Sequence, residues 1–72
     1  MDAARVSLLR WLRQQLREPS VIREHLEAAV ENDDPAEARR QLSGLPFSEA
    51  QRRYVEDVLG AWERRKMEQA AR

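Results

Sequence analysis

The only side chain here that titrates near neutrality is His25, and general acid–base catalysis would require it in a pocket beside another polar group. Its neighbours Ile22, Glu24 and Leu26 instead suggest the edge of an amphipathic helix, where it is a boundary residue. Ser7, Ser20, Ser43 and Ser48 have no matching triad partners, and two of them are better explained as helix caps. Glycine occurs only at 44 and 60, which leaves no loop to cradle a phosphate. The carboxylates of Glu31, Asp33, Asp34 and Glu37 could in principle hold calcium, yet their spacing is not that of an EF-hand loop and a capped turn accounts for them. Cysteine is absent, so thiolate metal sites and disulfides are out, and one histidine does not make a zinc site. A non-enzymatic chain is expected, with no catalytic residue, cofactor, metal or small-molecule substrate.

Binding chemistry is better represented. Arg10, Arg13 and Arg17 form a stripe at helical spacing, and Arg39 with Arg40, Arg52 with Arg53, and Arg64, Arg65 and Lys66 add further basic sites that could meet phosphates. Against nucleic acid stand thirteen acidic residues balancing thirteen basic ones and the lack of a recognisable helix-turn-helix. The charges fall in blocks: residues 1–17 carry a net plus three, residues 18–37 minus six and the remainder plus three. An acidic middle of this kind is neutralised by its basic flanks, within one fold or between subunits. Spacings such as Glu49 to Arg53 also suit ordinary ion pairs along a helix.

Protein association is the leading expectation. Trp11 and Trp62 lie at the edges of their helical stripes or at the end of the core, where an aromatic often anchors an interface. With Tyr54, Leu59, Arg65 and Lys66 they make up the expected partner-binding set. The runner-up is a nucleic-acid-associated regulator using Arg10, Arg13, Arg17, Arg52 and Arg53.

These residues need a scaffold, and the scaffold reads as all-α: a bundle of four helices, two long and two shorter, ending in a long C-terminal helix. The clearest start lies at Ser48, where Gln51 can close a capping box before Tyr54, Val55, Val58, Leu59 and Trp62 gather into one stripe. The first helix is expected from Asp2 or Ala3 to Arg17, burying Leu8, Leu9, Trp11, Leu12 and Leu16 until Glu18-Pro19 stops it. The second runs from Pro19 or Ser20 to about Glu31, with Val21, Ile22, Leu26, Ala29 and Val30 inward and Glu24, Glu27 and Glu31 outward. Asp34 with Pro35 and Glu37 opens a short third helix by a second capping box, and Gly44 is the expected left-handed terminator. Beyond Trp62 the apolar stripe ends, so residues 63–72 should project or fray.

Seventy-two residues make one domain, 1–72, whose single core supplies only about 3–5 kcal/mol of net stability. A second copy or a protein partner is therefore expected. No apolar run approaches the roughly 20 residues of a membrane helix, and the reading is of a cytoplasmic protein. Twelve of the thirteen basic residues are arginine, an association with a GC-rich coding genome; a bacterial protein is expected.

Overall fold

A computed structural model describes residues 2–71; Met1 and Arg72, the ends of the expected domain, lie outside the described residues. The described residues form four helices and no strand: α1 (Ala3–Gln15), α2 (Val21–Glu31), α3 (Pro35–Ser43) and α4 (Glu49–Ala70). Each helix starts on a side-chain oxygen that accepts one of the N–H groups a helix leaves unsatisfied. Asp2 takes the amide of Arg5, Ser20 that of Arg23, Asp34 that of Glu37 and Ser48 that of Gln51. At Ser48 the box closes, since its own amide donates to the Gln51 side chain at 2.7 Å. Ser48→Ala should cost about 1 kcal/mol, read as a thermal midpoint lowered by roughly 4–8 °C in a circular-dichroism melt.

The second expected box does not form. Asp34 caps α3, but the Glu37 carboxylate accepts from Arg40 and from the Gln41 amide instead of reaching back. Gly44 likewise departs from expectation: it has right-handed angles, φ −84° and ψ −4°, and the chain leaves α3 through a Leu45 to Leu42 backbone bond of 3.2 Å. The left-handed residue is Asp33, with φ 56°, in the turn between α2 and α3.

Helix α1 ends at Gln15, two residues short of Arg17. Arg23 of α2 takes the carbonyls released there, donating to Leu16 at 3.2 Å and Arg17 at 2.8 Å. Arg5 of α1 does the same for α2, donating to Val30 at 2.9 Å and Glu31 at 3.1 Å. The two helices thus run antiparallel and exchange arginines, each cation sitting at the negative end of the other's dipole. Some of the arginine richness is therefore structural.

The helices form a ring of neighbours, with α1 beside α2, α2 beside α3, α3 beside α4 and α4 closing back on α1. Inside lie Leu8, Leu12, Leu26, Ala29, Val30, Ala38, Leu42, Val55, Leu59 and Trp62. Val21 and Ile22, expected inside, are 65% and 40% exposed. They occupy the first turn of α2, while the buried residues of that helix begin at Leu26. Helix α4 is helical to Ala70 and exposed from Arg64 onward. No helix among the described residues is long and apolar enough to cross a membrane.

Candidate functional site: a groove between α3 and α4

Helices α3 and α4, joined by the Leu45-Pro46-Phe47 link, border an open groove of about 510 Å³. Its floor is apolar: half-buried Phe47 from the link, with the edges of the core residues Leu42 from α3 and Val55 and Leu59 from α4, each no more than 6% exposed. Its walls carry Arg39 and Arg40 on one side and Arg52 and Glu56 on the other. Both sides follow from helical periodicity, which turns every third or fourth residue to the core and leaves the intervening arginines at the rim.

Arg39 fixes the spacing of the walls. Its guanidinium donates to Glu56 at 2.8 and 3.0 Å and to Glu63 at 2.7 and 3.2 Å, bridging α3 to two carboxylates seven residues apart on α4. Bonding to Glu63 first, then to Glu56, holds it protonated well above the ordinary arginine range. The other rim cations are more open. Arg40, its side chain 77% exposed, reaches Glu37 of its own helix and no other carboxylate among the described residues. Arg52 donates its Nε to the Phe47 carbonyl at 3.3 Å and has no acidic partner among the described residues. The groove is thus a hydrophobic slot with two accessible cations at its mouth, suited to an apolar side chain flanked by carboxylates.

The expected partner-binding residues do not form one surface. Trp62 is wholly buried and Leu59 is 1% exposed, so neither presents a face to a partner beyond the edge of Leu59 in the groove floor. Trp11 and Tyr54 do meet, stacked with ring centroids 5.0 Å apart, and Phe47 tilts onto Trp11 at 5.4 Å. This half-buried aromatic group holds the α1–α4 seam, with the Tyr54 hydroxyl donating to the Ser7 carbonyl at 3.3 Å. Arg65 is exposed in the last turns of α4, whereas Lys66 reaches the Asp33 carbonyl and carboxylate.

The expected nucleic-acid residues are similarly dispersed. Arg13 pairs with Glu27 at 3.6 Å and Arg53 with Glu49 at 3.8 Å. Arg17 lies past the end of α1 and leaves the helical stripe, because that helix stops at Gln15. Arg10 and Arg52 are exposed. Glu27, expected on the outer face, is drawn inward by Arg23 at 3.0 Å; that bond, with the charges of Arg23 and Arg13, holds its carboxyl below the usual range.

The four clustered acids go to separate tasks. Glu31 is exposed, Asp34 caps α3 and Glu37 stays within α3. Asp33 becomes a hub: its carboxylate accepts from Trp62 Nε1 at 2.6 Å, with Arg5 at 3.7 Å and Lys66 at 3.5 Å. The Trp62 bond, then the two cations, keep its carboxyl below the ordinary range. Among the described residues no three of His, Asp and Glu converge as a metal ion would need. His25 is exposed, beside an open depression of about 270 Å³ lined by Asn32, Asp34, Glu37 and Gln41.

The groove was not legible in the sequence, because helical patterns give each helix a face but not how two faces meet. The arginine pairs Arg39-Arg40 and Arg52-Arg53 on either side of the link were the available signal. No protein-family model, curated protein or solved structure matches the chain.

Proposed function

We propose that this chain is a small non-enzymatic protein-binding module that works by docking an apolar, acid-flanked segment in the groove between α3 and α4. The observation that carries the proposal is the apolar floor of Leu42, Phe47, Val55 and Leu59 beneath the open guanidinium groups of Arg40 and Arg52. An apolar floor supplies binding energy and a charged rim supplies orientation and selectivity. The module belongs to the cytoplasm in this reading, where a cysteine-free fold held by caps, ion pairs and packing needs no disulfide.

The test is affinity capture from a lysate of the source cell with three baits: the native chain, Ala36→Trp, and the double variant R10E/R17E. Ala36 is exposed and lines the groove, so the indole fills the slot without entering the core. Proteins held by the native bait and by R10E/R17E, but lost with Ala36→Trp, are the expected result. Capture indifferent to Ala36→Trp would overturn the groove. Nucleic acid retained by the native chain, released steeply by salt and lost in R10E/R17E, would move the assignment to the arginine flanks.

A further inference from the structure

The chain carries on its own surface a segment with the chemistry the groove selects. Val21 and Ile22 protrude from the first turn of α2, 65% and 40% exposed, with exposed Glu18 before them and exposed Glu24 after. We infer that the groove between α3 and α4 receives the Val21-Ile22 turn of a second copy of this chain. The inference rests on the groove being a docking site and names its occupant.

Charge complementarity argues for this occupant over a foreign one. Within the acidic middle of the chain, Glu27 pairs with Arg23 and Arg13, Asp33 with Arg5 and Lys66, Glu37 with Arg40, and Asp34 serves as a cap. Glu18, Glu24 and Glu31 have no cationic partner among the described residues, and the first two flank the turn; Arg52, like Arg10, Arg17, Arg64 and Arg65, has no anionic one, and it alone of these lines the groove. Seating Val21 and Ile22 against Phe47 and the edges of Leu42 and Val55 brings Glu18 and Glu24 to Arg52 at the rim, with Arg40 on the opposite wall. A slot of about 510 Å³ is ample for two aliphatic side chains. One such seat buries less than a stable interface needs, so the association is of the weak, transient class and weakens with salt.

Two exposed-residue variants separate the halves of the contact: V21K/E24K alters the protruding turn, and R40E/R52E alters the groove rim. Circular dichroism first confirms that both keep the native helicity. Sedimentation velocity is then run at low salt from about 10 μM to about 1 mM, the range in which weak complexes populate. The native chain should associate, each variant alone should remain monomeric, and an equimolar mixture should regain association, since one variant keeps a sound turn and the other a sound groove. A native chain that stays monomeric to the top of the series, association surviving in either variant, or a mixture that stays monomeric would each overturn the inference. Groove-dependent capture of other proteins alongside a strictly monomeric native chain would leave the docking site standing and remove only the second copy as its occupant.

Discussion

Replacing Trp62 with alanine is expected to abolish the cooperative thermal unfolding of this chain. Trp62 is the largest side chain with no exposure, and it lies in one core with residues from all four helices. Truncating a buried tryptophan costs about 3–5 kcal/mol through lost burial and the cavity left behind. A domain of this size has about that much net stability in total. Circular dichroism of Trp62→Ala should show reduced helicity at 25 °C and a broad, non-sigmoidal melt. Trp62→Phe should melt cooperatively but at lower temperature, because it keeps most of the apolar volume and loses only the N–H donor to Asp33. A Trp62→Ala protein with a native-like transition would show that the core does not depend on this ring.

The Asp33 variants carry the second large effect, and a graded series divides its causes. Asp33→Ala removes the acceptor of the Trp62 indole and the counter-charge of Arg5 and Lys66, and it puts alanine at a φ of 56°. A hydrogen bond to a charged group contributes about 1.5–3 kcal/mol, and left-handed backbone costs an ordinary residue about 1–2 kcal/mol more. Asp33→Gly relieves the backbone cost alone. Asp33→Asn tolerates the left-handed region and keeps an oxygen near the indole, losing only the charge. Stability by urea denaturation should therefore fall in the order native, Asn, Gly, Ala. Glycine matching asparagine would mean that the hub is a matter of backbone alone.

The same carboxylate governs acid sensitivity. The Asp33 carboxyl titrates lower in the folded chain than its ordinary 3.8, so it stabilises the fold above that pH, and the contribution disappears as pH falls through the folded value. Glu27, also held low, acts in the same direction. The native chain should hold its thermal midpoint from neutrality into the ordinary carboxylate range and lose stability below it. Asp33→Asn should begin lower and fall less steeply, with Glu27 still contributing to the residual slope.

The legible parts of the fold were those set by neighbours in sequence. Asp2, Asp34 and Ser48 cap where their local spacing says they should, and the Ser48–Gln51 box closes as written. Proline at 19, 35 and 46 and the apolar steps of α4 likewise announce four helices before any packing is known. What stayed hidden depends on distant partners. Nothing around Glu37 says that Arg40 and Gln41 will claim its carboxylate, and nothing around Asp33 announces Trp62, twenty-nine residues away. Val21 and Ile22 fit the apolar spacing of α2, but spacing fixes an angle around a helix and not how far along it a neighbour reaches. Of the candidate site, the arginines of the rim were visible and the slot beneath them was not.

Because one indole is sealed against a carboxylate and the other lies half open against Tyr54 and Phe47, the molecule has two built-in optical reporters in different settings. Fluorescence from Trp62 follows the integrity of the interior, while Trp11 follows events at the α1–α4 seam and the link that ends in Phe47. Phenylalanine at either position silences one signal and leaves the other, so unfolding and occupancy can be watched as separate colours in an unlabelled sample.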